Sequence, residues 1–242
     1  LFRIGTSAGG MRPKILVARN RKTQQILPGD LLYGPHHDAL LVKLNLENDP
    51  THPKEIIEFV YANIAQALGI DMMPCELWEG QHFATHRFDR QNNRKQHVLT
   101  ASGLTGWDYQ NPEDSSYENL FKLSMALKLP WVELQQLYRR MVFNVLFNNI
   151  DDHLKNHSFL YHPETEQWHL APAYDLTFAL NPKLKFHKVS RALSIHGKRK
   201  QITRKDLLKI ANSFSIEQAE EIIDEIIREL INGIVINVKI VC

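Results

Sequence analysis

The chain has 242 residues, 43% of them apolar, and a formal net charge of +2 at pH 7. This length and apolar content allow a sizeable core in one large domain or two small lobes, and the nearly balanced charge excludes a general polyanion-binding protein. The two cysteines, Cys75 and Cys242, are too few for a disulfide scaffold, and no apolar run has the length of a membrane span. We therefore expect a cytoplasmic protein without a membrane segment.

The first 90 residues have the pattern of a small sheet with one helix. Between Pro53 and Gly69, apolar residues recur at helical spacing, and these two flanking residues are typical start and stop signals. Four segments are predicted as strands from their apolar or alternating patterns: residues 14–19, 39–44, 75–78 and 82–88. A polar segment at 89–96 follows. We place a boundary there, which predicts a first lobe at residues 1–90 and a second at 91–242.

The second part has a mainly helical pattern. Spaced apolar residues predict one amphipathic helix around residues 120–127 and a longer one over 134–145. Segments 203–206 and 215–218 resemble helix N-terminal caps, the second of them a capping box, for two further helices that end near Gly233. The order of elements predicts an α+β protein in which a small sheet-rich lobe precedes a larger helical lobe.

Residues 151–156, with the sequence DDHLKN, carry the most informative polar pattern. Asp151 and Asn156 have the spacing of a kinase catalytic loop, in which the acid orients an attacking hydroxyl and the amide oxygen binds Mg²⁺. Asp175 follows a predicted hairpin of segments 158–161 and 168–171, so a second metal ligand is expected at a strand exit. Asp and Asn are also common in turns. Carboxylates next to strongly apolar elements nevertheless favour a metal or substrate site over a structural turn.

Two features of the first lobe fit phosphate binding. Segment 5–14 is rich in glycine, so its backbone N–H groups could approach phosphate oxygens, although a glycine-rich hairpin without a ligand is the common alternative. Lys43 lies among apolar strand residues, and Glu58 on the predicted helix could pair with it. Alternatively, strand alternation turns Lys43 to solvent and Glu58 lies on a solvated helix face.

Four segments form a pattern along the chain: SAGGMRPK at 7–14, HRFDR at 86–90, DDHLKN at 151–156 and LAPAYD at 170–175. Together they resemble the HipA family of serine/threonine toxin kinases. Their order and mutual distances match those of the family over about residues 7 to 195. The resemblance implies a two-lobed protein-kinase-like fold and transfer of a phosphoryl group from ATP, with Mg²⁺, to a serine or threonine.

The resemblance also implies roles for individual residues. Asp151 resembles the catalytic acid of the family, and Asn156 and Asp175 resemble its magnesium ligands. Ser7 matches a loop serine whose autophosphorylation inactivates the kinase, because added negative charge repels the nucleotide. The implied nucleotide contacts are Gly9, Gly10, Lys14, Lys43, His86, Arg87, Phe88, His153, Lys155, Asn156, Tyr174 and Asp175. The family often has glutamate where His86 stands, which is a departure at one adenine contact.

The implied partners are a protein substrate, such as an aminoacyl-tRNA synthetase, and a DNA-binding antitoxin. Full-length members carry an additional N-terminal subdomain before the glycine loop, whereas this sequence begins almost at the loop. Either the sequence covers part of the protein, or it is similar to the split members, in which a separate small protein supplies that subdomain. We expect the split or shortened form.

Two other hypotheses belong to different functional classes. The first is a nucleotide-binding or partner-binding module that no longer catalyses, against which the complete set of Asp151, Asn156 and Asp175 argues. The second is nucleic-acid contact through the basic run between Lys183 and Lys209. Charge runs normally lie on solvated faces, and only one aromatic residue interrupts this run. Direct DNA binding is therefore expected only through the antitoxin.

Overall fold

A five-stranded antiparallel sheet lies within the first 90 residues. The computed structural model describes residues 13–29, 31, 33–46, 53–91, 94–178 and 190–232. The sheet has the order β2-β1-β3-β5-β4. Its strands are β1 (Lys14–Asn20), β2 (Ile26–Pro28), β3 (His37–Lys43), β4 (Cys75–Trp78) and β5 (His82–His86). The four segments predicted as strands from the sequence are thus all present, and β2 is an addition.

Helix α1 (Lys54–Ala67) joins this sheet to the rest of the molecule. It begins directly after Pro53, and Gly69 adopts a left-handed φ of 71° just beyond its end, as the start and stop signals predict. One part of α1 packs against β4 and β5. Ile64 near its C-terminal end and Leu68 directly after it are buried in the larger hydrophobic core of the second part.

A short hairpin and a second sheet follow. The hairpin consists of β6 (Arg90–Gln91) and β7 (Arg94–Lys95), and it occupies the polar segment at which we placed the boundary. The second sheet is antiparallel, in the order β10-β9-β8, with β8 (His97–Thr100), β9 (Ser158–His162) and β10 (Gln167–Leu170). The β9-β10 hairpin was predicted, whereas β8 was not. β8 is only four residues long, and it forms a strand because it pairs with β9, which is distant in sequence.

The other elements in the described part of the chain are helices. They are α2 (Ala101–Thr105), α3 (Tyr117–Ala126), α4 (Trp131–Leu146), a 3-10 helix (Leu154–Asn156), α5 (Arg204–Ser213) and α6 (Ala219–Asn232). Their apolar faces enclose a core in which Tyr117, Phe121, Tyr138 and Phe143 are fully buried. Within the described ranges, no helix combines the length and apolar character needed to cross a membrane.

The capping prediction was only partly right. Thr203 and Asp206 form a reciprocal capping box at the start of α5, which is the pattern that was assigned to segment 215–218. In that segment, Ser215 and Gln218 have φ values of 53° and 55°. An N-cap residue requires an extended backbone, so neither left-handed residue can form a cap, and α6 begins only after them.

The capping box of α5 yields a prediction for stability. The Asp206 carboxylate accepts hydrogen bonds from Lys198 Nζ at 2.8 and 3.0 Å and from Thr203 N at 2.9 Å, and the bond from Lys198 contributes most to lowering the pKa of Asp206. Asp206→Ala should lower the free energy of unfolding by about 1–2 kcal/mol. Lys205→Ala, at an exposed position of the same helix, is the control and should change it little.

The effect should depend on pH in a defined direction. A carboxyl whose pKa is lowered on folding stabilises the protein above the pKa of its unfolded form, and this contribution is lost as the pH falls towards the folded value. Urea unfolding should therefore show a wild-type advantage over Asp206→Ala at pH 7 that shrinks progressively below about pH 4. A difference that is independent of pH would contradict this assignment.

Candidate active site

Lys43, at the end of β3, lies at the centre of a buried ionic cluster. Its Nζ donates to Glu58 Oε1 on α1 at 2.6 Å and also to Asp175 Oδ1. Lys43 is 9% exposed and Glu58 is 5% exposed. This arrangement confirms the sequence-based pairing of Lys43 with Glu58 and excludes the alternative in which both residues face solvent.

The charges of this cluster stabilise one another. Burial alone would lower the pKa of Lys43, but the carboxylates of Glu58 and Asp175 outweigh it and raise the pKa above its ordinary value. Burial likewise tends to raise the pKa of Asp175, whereas the Lys43 ammonium dominates and lowers it. Lys43 and Asp175 therefore both remain ionised at neutral pH. The net effect is one cation shared by two carboxylates in a low-dielectric cleft.

The loop that follows α4 presents Asp151 to this cleft. Leu154 is fully buried and anchors the 3-10 helix, while Asn156 Nδ2 donates to the Asp151 carbonyl oxygen at 2.8 Å and closes the loop. The Asp151 side chain is exposed, and His153 Nε2 lies 3.9 Å from its Oδ1. Because the hydrogen bond from Asn156 to Asp151 joins the two residues within one short loop, it fixes the predicted acid and the predicted amide relative to each other.

Asp175 reaches the cleft from a loop, and not from a strand exit as predicted. It lies five positions beyond the end of β10, with a left-handed φ of 54°. The preceding Tyr174 holds this loop in place, because its hydroxyl donates to the Lys155 carbonyl oxygen at 2.8 Å and lies 2.5 Å from Ser158 Oγ. The loop that carries Asp175 is thus bonded directly to the one that carries Asn156.

The charged groups around this loop influence one another's ionisation. Neighbouring protein atoms partly desolvate the Asp151 carboxyl and raise its pKa above the ordinary value, and the charges of Asp152 and Asp175 act in the same direction, whereas His153 opposes them. Lys14 and His153 contribute to lowering the pKa of Asp175. The raised pKa of Asp151 is what a proton-accepting carboxylate in a cleft of this kind would have.

Other predicted nucleotide contacts lie at the junction of the sheet and the helical part. Lys14 pairs with Lys43 in the β1-β3 register, and the ring of Phe88 lies 5.6 Å from that of Tyr174. Arg87 forms a two-pronged pair with Asp89 at 2.8 and 2.6 Å, so its charge is engaged within the protein. His86 ends β5. The predicted residues Ser7, Gly9 and Gly10 lie outside the described residues.

The donor chemistry of the cleft suits a hard divalent cation. The Asp175 carboxylate is half-buried and ionised, and Asn156 uses its amide nitrogen internally, which leaves its Oδ1 as an acceptor. Mg²⁺ is typically bound by one or two protein oxygens together with substrate phosphates. The residues present therefore fit Mg²⁺ bound together with a nucleotide.

Asp152, adjacent to Asp151, has a different environment that the sequence did not reveal. Its side chain is fully buried, and its carboxylate accepts from Tyr117 Oη at 2.7 Å and Arg191 Nη2 at 3.0 Å. The backbone N–H of Leu193 donates to the same group at 3.3 Å. The Asp152 network therefore ties the loop to residues 191–193. No spacing in the sequence links these positions.

Two further buried polar residues behind the loop were also missed. His157 is buried, and burial together with the charge of Arg140 lowers its pKa to about 3, so its imidazole is neutral. Arg140 is buried as well, which lowers the pKa of its guanidinium to about 10. Along with Asn149, Asn156 and Tyr174, they line a small cavity behind the loop.

The basic run gives a mixed outcome. Its residues 183–188 lie outside the described residues. Among the others, Arg191 binds Asp152, Lys198 binds Asp206, and Arg204 pairs with Asp224 and Glu220. These side chains thus have intramolecular partners, which favours a structural explanation over a nucleic-acid surface for this part of the run.

Substitution of the two adjacent carboxylates should have very different effects on stability. Asp152→Ala leaves the cationic Arg191 and the Tyr117 hydroxyl buried without their acceptor, so we expect a loss of about 3–5 kcal/mol in the free energy of unfolding. Asp151→Ala removes an exposed carboxyl and should change it by less than about 0.5 kcal/mol. Chemical denaturation of both variants checks this. Equal destabilisation would show that the Asp152 network does not hold the loop.

Comparison with known proteins identifies the family to which this chain is related. The HipA-like C-terminal domain model matches residues 6–235. The protein Y4dM of Sinorhizobium fredii, named as a presumed kinase, is 28% identical over 134 residues, covering 49% of this chain and 32% of that protein.

Two solved structures share the fold. HipA of Shewanella oneidensis, in a toxin–antitoxin complex with HipB and operator DNA, matches with a TM-score of 0.71 and 19% identity over 94% of this chain and 57% of that one. The proinflammatory kinase CtkA of Helicobacter pylori matches with a TM-score of 0.50 and 15% identity, over 79% of this chain and 86% of that one. This chain thus spans about a third of Y4dM and just over half of the HipA chain. The predicted two-lobed protein-kinase-like fold is confirmed, and the chain belongs to the HipA-like C-terminal domain family.

Proposed function

We propose that this chain is the catalytic core of an ATP-dependent serine/threonine protein kinase that acts as the toxin of a toxin–antitoxin system. The observation that carries the proposal is the shared Lys43 ammonium. It joins a carboxylate of α1 to a carboxylate of the loop after β10, next to an exposed acid whose pKa is raised. Phosphoryl transfer depends mainly on such positioning and charge stabilisation.

The charged groups of the cleft suggest a separate role for each of these residues in binding ATP. Lys43 and Lys14 lie on neighbouring strands and supply positive charge for the nucleotide phosphates, as does Lys155 from the loop, where His153 would be a further phosphate contact. His86, Arg87 and Phe88 would hold the adenine where the sheet meets the helical part, and the backbone of Gly9 and Gly10 would cover the phosphates. Asn156 and Asp175 would hold Mg²⁺, which when bound shields the phosphate charge and orients the γ-phosphoryl group.

Asp151 would act on the acceptor hydroxyl. Its carboxylate is exposed and can accept a hydrogen bond from a serine or threonine side chain, which orients that oxygen for in-line attack. Its pKa is raised by desolvation and by the neighbouring carboxylates, which makes it a better proton acceptor than an ordinary aspartate. The attacking oxygen forms its bond to phosphorus as the bond to the leaving ADP oxygen breaks, and the hydroxyl proton passes to Asp151.

Family membership suggests the biological setting. The HipA structure contains HipB and operator DNA, so we propose an antitoxin partner through which contact with DNA is made, and a cytoplasmic location. The protein substrate proposed is a translation component such as an aminoacyl-tRNA synthetase. Autophosphorylation of Ser7 would add about two negative charges to a loop that contacts phosphates, and would inactivate the kinase by repulsion.

Substitution at the acid and at the metal ligand should separate catalysis from nucleotide binding. Asp151→Asn should lower phosphoryl transfer by about a hundredfold or more and leave binding of Mg²⁺–ATP nearly unchanged, whereas Asp175→Asn should weaken both. Transfer of labelled phosphate and titration calorimetry provide the two measurements. Glu164→Gln, in the exposed turn of the β9-β10 hairpin, is the matched control and should behave as wild type.

The same experiment tests the alternative of a catalytically silent module. Binding of Mg²⁺–ATP by the wild-type protein without detectable transfer would support that alternative. Full transfer activity in Asp151→Asn would instead overturn the assignment of the acid.

Substrate and autophosphorylation can be tested together in cells. A phosphoproteome from cells that express the wild-type protein should contain phosphoserine or phosphothreonine on a translation component, together with phosphorylated Ser7. Both signals should be absent when the Asp151→Asn variant is expressed at the same level. Phosphorylated Ser7 in the variant would indicate that another kinase modifies it.

A further inference from the structure

Lys155 lies between the proposed acid and the proposed metal ligand, yet no carboxylate partner holds it among the residues described. Its side chain is exposed, and a free lysine carries about 2 kcal/mol of rotamer entropy. If such a cation is already held in position, less entropy is lost when it binds a phosphate. Some other group in the structure should therefore restrict Lys155.

The ring of Tyr109 is that group. Lys155 Nζ lies 3.8 Å from the centroid of the Tyr109 ring, well inside the range of a cation–π interaction. The same ring meets the imidazole of His153 at 5.4 Å between centroids, with the planes at 65°. One aromatic side chain thus contacts both His153 and Lys155 of the loop, and His153 in turn lies beside Asp151.

Tyr109 is well placed to act as a fixed support. Its carbonyl oxygen accepts from Ser115 Oγ at 3.0 Å, and the carboxylate of Asp114 accepts from Asp108 N and Asn111 Nδ2, both at 3.1 Å. Arg199 then ties Ser115 to the segment beyond Arg191, through a bond of 2.9 Å to the Ser115 carbonyl oxygen. The Tyr109 ring therefore belongs to a loop that is held by its own hydrogen bonds.

An aromatic ring suits this task better than a carboxylate would. A carboxylate would accept at least one of the three N–H groups of the ammonium, and a phosphate oxygen could then no longer use that donor. A cation–π contact orients the ammonium through the ring quadrupole and keeps its charge. The N–H groups that point away from the ring stay available to a substrate phosphate.

We propose that Tyr109 is a positioning residue that holds the Lys155 ammonium and the His153 imidazole beside Asp151 for phosphoryl transfer. This inference rests on the proposed kinase function. Tyr109 lies in none of the four segments that carry the family resemblance, and it acts through other side chains.

Kinetic measurements test the role of the ring. Tyr109→Leu should lower kcat by about 3- to 30-fold, the range expected from a cation–π contact between exposed and desolvated limits, and leave KM for ATP within about twofold. Tyr109→Phe retains the ring and should restore most of the activity. Lys155→Met should make the Tyr109→Leu effect smaller, because the two groups act together. Fully multiplicative effects, or equal losses in the Phe and Leu variants, would overturn the proposal.

A second measurement is independent of catalysis. Reductive ¹³C-methylation of lysines should give a Lys155 signal, assigned by its absence in Lys155→Met, that ring current shifts upfield in the wild-type and Tyr109→Phe proteins and not in Tyr109→Leu. Without that shift the contact does not exist and the inference fails, whatever the activity. If the shift is present and the wild-type protein transfers no phosphate, the proposed function fails, and this role of Tyr109 with it. If the shift is present and Tyr109→Leu is as active as an active wild type, only the inference about Tyr109 fails.

Discussion

A single buried ammonium group links the two parts of this molecule. Lys43 belongs to the five-stranded sheet, Glu58 to the helix that packs on it, and Asp175 to a loop of the helical part. A charge this buried is stable only with its partners in place. Removal of either carboxylate would leave charge poorly compensated in a region from which water is largely excluded. The relative placement of sheet and loop is therefore coupled to the ionisation of three side chains.

Two consecutive aspartates next to this cluster are used in different ways. Asp151 is exposed and presents its carboxylate to the cleft, whereas Asp152 is buried and bonded to Tyr117 and Arg191. The division follows from the geometry of the loop, since Leu154 and Asp152 both point into the core and Asp151 points out. The buried member holds the backbone from which the exposed member projects. An ionic interaction on the inner side thus gives the outer side a defined position without restricting its access to solvent.

The elements that sequence reasoning found are those with a local signal. Helix α1, the long helix α4 and the β9-β10 hairpin follow from apolar periodicity and turn residues. The pairing of Lys43 with Glu58 could also be predicted, because a cation in an apolar strand requires a partner. The short strand β8 and the partners of Asp152 could not, since both depend on residues distant in sequence. The capping box was assigned to the wrong segment because backbone conformation, and not composition, decides which residue can cap.

The left-handed backbone at Asp175 restricts this position beyond its charge. A φ of 54° disfavours most side chains with a Cβ, whereas Asp, Asn and Gly tolerate it. Of these three, only aspartate also supplies a negative charge. Conformation and electrostatics thus select the same amino acid for separate reasons. An alanine here would combine the loss of a carboxylate with a local distortion, so its phenotype could not be ascribed to either cause, whereas asparagine isolates the charge.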